Sequence, residues 1–326
     1  MINETEQVVK INEMDRNAQK EILKRCGMAI RFIDNPDKEL QLIAVDKDGE
    51  SIQFIKNPDK DVQLVAVKEE GYAIKYINNP DKDVQLEAIR ENEFSIQFIK
   101  NPDKDVQLTA VNLNGYFIRH ITNPDKDVQL AAVNKNSNSI EYIENPDKDV
   151  QLAAVRNYGP SIRFIKNPDK DIQLEALKER GTSIQHIKNP DKEVQLAAVN
   201  KDGYAIRFIE NPDKDVQLAA IKKNPISIKY IDNPDKDIQL EAVKLNSCSI
   251  LYIYNIDKEI LDRTKIYKTS HRDIIAFKDD NGEFKFSIGC QKNISKETFI
   301  SRIHNLDGGL EKNPHRQEYL NILKHY

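Results

Sequence analysis

Asn57-Pro58-Asp59-Lys60-Asp61-Val62-Gln63-Leu64 recurs, with small changes, from Asn35, Asn79, Asn101, Asn123, Asn145, Asn167, Asn189, Asn211 and Asn233. Each step is 22 residues, without insertion or deletion. A fixed period of this length decides architecture ahead of any local reading. Each copy is one supersecondary unit that buries its apolar face only against its neighbours.

One unit, numbered from its Asn as position 1, reads as two helices. Asn57 is placed to cap a helix with Pro58 at its first position, where a missing N–H costs nothing; a cap at Asp59 is the close alternative. Asp59 and Asp61 fall in the first turn, on the favourable end of the helix dipole. The helix runs through Val62, Leu64, Ala66 and Val67 and stops at Gly71, read as the residue just past its end. Gly stands there in six of the ten units; Pro225 and Ser247 are among the exceptions. A shorter second helix carries Ala73, Ile74, Tyr76 and Ile77. The helical period gives the first helix a wide apolar arc, as for a helix lying between two neighbours. Ala at position 10 of every unit permits close approach.

Gln occupies position 7 of all ten units, inside that arc: Gln41, Gln63, Gln85, Gln107, Gln129, Gln151, Gln173, Gln195, Gln217 and Gln239. A buried amide without partners costs roughly 1–3 kcal/mol. The expectation is a structural ladder, each amide bonding a turn backbone or the Asn of an adjacent unit and stitching units together. A polar ligand groove is the less favoured reading.

Position 20 is aromatic or His throughout: Phe32, Phe54, Tyr76, Phe98, His120, Tyr142, Phe164, His186, Phe208, Tyr230 and Tyr252. Exchange among Phe, Tyr and His suggests a ring with one edge in solvent. Packing between units is favoured over base stacking. His120 and His186 stand three units apart, too far for a shared metal. Position 19 carries a second period. Arg31, Lys75, Arg119, Arg163 and Arg207 alternate with Gln53, Gln97, Glu141 and Gln185; Lys229 and Leu251 break the pattern. These bases are the candidate partner- or anion-binding residues, weighed against solvated charges left by duplication of unit pairs. The Asp-Lys-Asp triplet reads as a solvated rim, because exposed pairs contribute little. It lacks the glycine turn and closing Glu of a calcium loop.

Residues 1–34 balance their charges, residues 35–254 carry a net −6 and residues 255–326 a net +2. That distribution speaks against a uniformly acidic nucleic-acid mimic and against a strongly basic nucleic-acid coat. The variable positions of the last five units are nonetheless basic, net +6 against −2 in the first five. Cys26, Cys248 and Cys290 are scattered, which points to a reduced compartment without structural zinc. No apolar run reaches the ~18 residues of a membrane span. The first residues lack the basic-then-apolar pattern of a secretion signal.

Residues 13–34 are a unit in disguise, with Gly27, Ile30, Phe32 and Ile33 in register with Gly71, Ile74, Tyr76 and Ile77 and a polar Lys20 in place of the repeat Leu. That suits a terminal cap. Asn255 to Leu261 is a decayed copy. Beyond it, residues 273–278 and 283–291 read as strands around Asp280-Asn281-Gly282, a strong hairpin signal. Ser295 caps a helix over 296–305, and Asn313-Pro314 opens a last one.

Asn-Pro, then Val-x-Leu-x-Ala-Val, then Gly-x-x-Ile-x-Phe-Ile resembles the short helical-pair repeats of bacterial and phage proteins, most of unknown function. It is also similar to the leucine-rich repeat variant, which alternates α and 3₁₀ helices and shares the Asn-Pro. The resemblance spans about residues 13–261. The iron–sulfur module that the leucine-rich variant can carry needs clustered cysteines, which this chain lacks, so no cofactor is implied. The fold class expected is mostly α: an α-solenoid of about 11–12 two-helix units (α/α or α/3₁₀) forming a superhelix, with a small C-terminal ββαα module. The expected division is 1–34 as lead-in and cap, 35–254 as ten repeats, and 255–326 as decayed repeat and capping module.

The expected function is a non-enzymatic cytoplasmic scaffold that binds a protein partner through the variable positions, without membrane, metal or cofactor. A role in phage–host conflict follows from the resemblance alone. The alternatives are a nucleic-acid or anionic-ligand binder using the bases and the aromatic row, and a C-terminal enzyme targeted by the repeats, with Cys290, His304 and His315 as a weak thiol constellation.

Overall fold

The computed structural model describes residues 11–269, 273–288, 291–305 and 316–324. The chain falls into two compact parts, Met1–Ile165 and Lys166–Tyr326. Both are built from one unit: a ten-residue α-helix followed by a six-residue 3₁₀ helix, as in Lys60–Glu69 and Gly71–Tyr76. The α-helices begin at Arg16, Lys38, Lys60, Lys82, Lys104, Lys126 and Lys148 in the first part, and at Lys170, Lys192, Lys214 and Lys236 in the second. A shortened helix, Lys258–Asp262, ends the series. The 22-residue period is that expected from the sequence, and of the two forms it left open, α/α and α/3₁₀, the unit takes the second.

The helix cap is Asp59, not Asn57. Its carboxylate accepts from the Val62 N–H at 3.1 Å, and the same bond recurs at Asp103, Asp125, Asp147, Asp169, Asp191, Asp213 and Asp235. Asn57 instead adopts a left-handed backbone, φ +50°, and the ten repeat Asn residues share this within a few degrees. Proline keeps its predecessor out of the right-handed helical region. Asn is among the few residues that accept the left-handed one. The Asn-Pro pair therefore reverses the chain ahead of the cap.

Gly71 does not end the helix in a left-handed turn either. It opens the 3₁₀ helix, and its missing side chain is a matter of space: a Cβ there would lie 2.8 Å from the Ala88 carbonyl oxygen of the next unit.

Val62, Ala66, Val67, Ile74 and Ile77 are buried, as are their counterparts along each part. The position 10 alanines are fully buried, which matches the close approach expected of them.

The glutamines bond a turn backbone, as expected, but the described bonds stay within the unit rather than forming a ladder between units, with one exception. Gln63 Nε2 donates to the Pro58 carbonyl of its own unit at 2.8 Å, and Gln41, Gln85, Gln107, Gln129, Gln151, Gln173, Gln195, Gln217 and Gln239 repeat this to their own prolines at 2.7–2.9 Å. Each amide thus ties the helix to the turn before it. Gln239 alone among the described bonds also reaches the next unit, donating to the Asn255 carbonyl at 3.0 Å and accepting from the Asp257 N–H at 2.9 Å.

Between units the polar stitch is the lysine of the rim. In the first part, Lys38 bridges Asp59 (3.0 Å) and Asp61, Lys60 bridges Asp81 (3.5 Å) and Asp83 (2.5 Å), and Lys104 and Lys126 repeat the pattern. In the second, Lys170, Lys192 and Lys214 do the same. Arg16 plays this role in the N-terminal unit, reaching Asp37 and Glu39, and Lys20 joins it on Glu39 at 2.6 Å. The disguised first unit is thus a true unit, with Asp15 capping its helix.

The C-terminal module has four strands where two were expected: β1 (Thr264–Tyr267), β2 (Ile274–Lys278), β3 (Phe284–Ile288) and β4 (Gln291–Ile294), an antiparallel sheet in that order. The Asp-Asn-Gly signal is a hairpin between β2 and β3, with Gly282 at φ +83° and the Asp279 side chain accepting from the N–H groups of Asn281 and Glu283. Helices Lys296–Asn305 and Arg316–Leu323 follow, and Ser295 caps the first. Ile274, Ala276, Phe286, Phe299 and Ile322 form the module's core, with Phe286 stacked on Phe299 at 5.0 Å. Ser287, of opposite parity to Phe286, meets Ser247 of the last full unit through a 2.7 Å bond between hydroxyls.

A candidate binding row of paired bases and rings

The 3₁₀ helix decides what each unit offers to solvent. Positions 17, 18 and 21 turn inward, as Ala73, Ile74 and Ile77 do, while positions 19 and 20 stay at least partly exposed. Being adjacent on a tight helix, the base at 19 folds onto the ring at 20 of its own unit. The Arg31 guanidinium lies 4.3 Å from the centre of Phe32, Lys75 Nζ 4.7 Å from Tyr76 and Arg163 4.5 Å from Phe164, all in the first part. In the second, Arg207 lies 4.4 Å from Phe208 and Lys229 4.7 Å from Tyr230. A cation over a ring face is attracted by the ring quadrupole. Arg119 differs: its Nε–H donates to His120 Nε2 at 3.0 Å. Burial, and after it the Arg119 charge, hold His120 below the usual imidazole value, so the neutral acceptor form is favoured.

Within each part, the two rows read separately in the sequence are therefore base–ring pairs. The signal for this was present, since positions 19 and 20 are neighbours. What the sequence reading missed is the third member. Tyr72, Tyr116 and Tyr204, at position 16, each meet the position 20 ring of the following unit edge to face, at 5.7 Å (Phe98), 6.2 Å (Tyr142) and 5.9 Å (Tyr230).

The six candidate bases are not equivalent. Lys75 is taken up by Glu50 of the preceding unit at 2.6 Å, and that contact is the first cause holding its ammonium above the ordinary lysine value. Arg207 and Lys229 are brought together. Arg207 lies 6.0 Å from the Tyr230 ring, while Lys229 lies 5.4 Å from Tyr204 and 5.9 Å from Tyr252 as well as over Tyr230. Tyr230 is held below the usual phenol value, first by Lys229 and then by Arg207. Among the described residues neither base has a carboxylate partner. An open groove of about 540 Å³ borders Arg207 and Tyr230, with Asn211 and Gln217 on its wall and Glu210 and Asp232 among its lining residues.

The less favoured reading of the glutamines, a shared polar groove, has no support in their bonds, because each amide N–H is used on the proline carbonyl of its own unit. No cluster of His, Cys, Asp or Glu suited to a metal occurs among the described residues. No described helix is long and apolar enough to cross a membrane. Cys290 and His315 lie outside the described residues, as does the side chain of His304.

A family described as a domain of unknown function (DUF4116) matches two overlapping segments, residues 191–234 and 213–258. The Tyr204–Tyr252 cluster lies inside the matched region. No curated protein and no solved structure matches the chain.

Proposed function

We propose that this chain is a non-enzymatic interaction module that binds a protein partner along the exposed side chains of its 3₁₀ helices. The observation that carries the reading is a division of labour. The repeated residues are consumed internally: Asp caps, Lys bridges, Gln bonds Pro, and Val, Ala and Ile are buried. What differs from copy to copy lies at positions 9, 12, 13, 16 and 19, whose side chains stay at least partly exposed in most units, and at position 19 the bases lie on the partly exposed rings of position 20. Such a pattern suits recognition, since aromatic and arginine side chains are the residues that most often anchor interfaces.

A nucleic-acid track is the weaker reading. The base row is interrupted by Gln53, Gln97 and Glu141, and a polyanion needs bases at regular close intervals.

The test is affinity capture from the native host with the intact chain and with the triple variant Arg119→Glu, Arg163→Glu, Arg207→Glu. A protein retained by the first and lost from the second, at unchanged circular dichroism, is the expected result. Identical captured sets would overturn the reading, and salt-sensitive binding of random DNA or RNA would replace it with the nucleic-acid one.

A further inference from the structure

Arg207 and Lys229 are the one place in the ten repeats where consecutive units both carry a base at position 19; elsewhere the base alternates with Gln53, Gln97, Glu141 or Gln185. Both cations rest on rings, and Lys229 is shared among Tyr204, Tyr230 and Tyr252. Neither is neutralised by a carboxylate among the described residues, in contrast to Lys75, which Glu50 occupies. Leu251, the next residue in the position 19 series, is more than half exposed, and Tyr252 beside it nearly so. We propose that the exposed face over Tyr204 to Tyr252 docks an acidic segment of a protein, its carboxylates meeting Arg207 and Lys229 and its apolar side chains lying on the tyrosine rings and Leu251. This rests on the protein-binding reading above and names the chemistry of the partner.

Three features favour such a segment. Rings beneath the cations hold them in place, so less side-chain freedom is lost on binding. Charge-assisted bonds to carboxylates are the strong ones when the donor is pre-positioned. Glu210 and Asp232 line the adjoining groove. Their charge disfavours a ligand with an anion at every step, such as a nucleic-acid strand, and tolerates one whose acids are spaced by apolar residues.

The test uses the full chain and three fluorescein-labelled probes at low salt, followed by anisotropy: an alternating Glu-Leu hexapeptide, its Gln-Leu counterpart and an oligothymidylate. The Glu-Leu peptide is expected to bind. The double variant Arg207→Gln, Lys229→Gln is expected to weaken it by about tenfold or more, the loss of at least one charge-assisted bond. Lys75→Gln is expected to change it by less than about twofold, because that base is already paired. The charge-keeping variant Arg207→Lys, Lys229→Arg, with an unchanged melting curve, retains binding and separates loss of charge from loss of fold. Equal binding of the Gln-Leu peptide, an equal loss in Lys75→Gln, tighter binding of the oligothymidylate, or no peptide binding would each overturn the proposal. If peptide binding fails while the capture experiment still separates wild type from the triple variant, the acidic-segment inference falls and the protein-binding reading stands.

Discussion

The Asn293 side-chain carbonyl accepts from the Ser247 backbone N–H at 3.0 Å. Within the repeats the Asn136 side chain does the same to Gly115 of the preceding unit at 2.8 Å. Ser247 and Gly115 share position 15, so β4 supplies from a sheet what a further repeat would have supplied from a helix end. Asn293 also donates to the Lys244 carbonyl and takes part in the Ser287 hydroxyl network, and Asp280 pairs with Lys244. The module thus closes the exposed end of the last unit by imitating its missing neighbour. Asn293→Ala leaves the Ser247 N–H and the Lys244 carbonyl without these partners, at about 1–3 kcal/mol for each buried orphan. Hydrogen exchange is the check. Faster exchange across residues 247–252 and β3, with residues 104–164 unchanged, is expected; unchanged protection at Ser247 would refute the imitation.

The hydroxyls of Ser51, Ser95 and Ser139, at position 17, are fully buried without a hydrogen-bond partner. Other units place Ala29, Ala73 or Ala205 there. A buried hydroxyl without a partner costs free energy, and alanine fits the same space in neighbouring units. Ser51→Ala, Ser95→Ala and Ser139→Ala are each expected to be neutral or stabilising by up to about 1 kcal/mol in urea unfolding. Ser227→Ala is the control, because that hydroxyl donates to the Asn224 carbonyl at 2.6 Å, and it is expected to destabilise. Equal losses in all four would show that the three hydroxyls are satisfied after all.

The unit, its period and its buried set were legible because period and apolar spacing report directly on burial. What was not legible depended on local backbone conformation and on contacts across the boundaries between units. The choice between Asn57 and Asp59 as cap turns on a left-handed Asn, which no local pattern separates from a cap. Gly71 looks like a helix end because glycine has two uses, and only the Ala88 carbonyl across the unit boundary reveals which applies. Lys38 reaches Asp61 across 23 residues. The signal for it was the strict stride itself, which makes residues one period apart spatial neighbours and sets the Lys of each Asp-Lys-Asp triplet against the acids of the next. The base–ring row was half legible: both members were read, but their stacking depends on the tightness of the 3₁₀ helix.

These triplets give stability a two-sided pH dependence. Asp59, Asp125, Asp191 and Asp213 are held below the ordinary carboxylate value, first by the backbone N–H groups they cap and then by Lys38, Lys104, Lys170 and Lys192. A lowered folded value means that the contribution is complete above the unfolded value near 4 and is lost as pH falls through the folded ones. The lysines are shifted the other way, upward, first by the acid at position 5 of the next unit. Their contribution is complete below about 10.4 and is lost as pH rises past it. Thermal melts are expected to hold these two contributions level between about pH 5 and 10 and to fall on either side. Salt is expected to lower the plateau only modestly, because the pairs are exposed and screened. A melting temperature unchanged at pH 3 would remove the capping aspartates from the account.

Two glycines separate lack of space from backbone conformation. Gly115 has an ordinary backbone, but a Cβ there would sit 2.3 Å from the Ala132 carbonyl oxygen and 3.1 Å from Asn136 Cβ. The obstruction is backbone, which cannot swing aside as a side-chain tip can. Gly115→Ala is therefore expected to cost about 1–3 kcal/mol by forcing the two units apart, more than the few tenths to 1 kcal/mol gained from a stiffer unfolded chain. Gly282 is the opposite case: its φ is +83°, and the nearest atom to an added Cβ is the Lys278 side-chain Cε at 3.7 Å. Gly282→Ala meets no obstruction and pays only the left-handed backbone, roughly 1–2 kcal/mol. Hydrogen exchange distinguishes them. Gly115→Ala should loosen the amides on both sides of the boundary between the units starting at Asn101 and Asn123, whereas Gly282→Ala should loosen only β2 and β3. A stabilised Gly115→Ala protein would mean that this boundary opens without cost and that the tight approach at position 15 does not hold the units together.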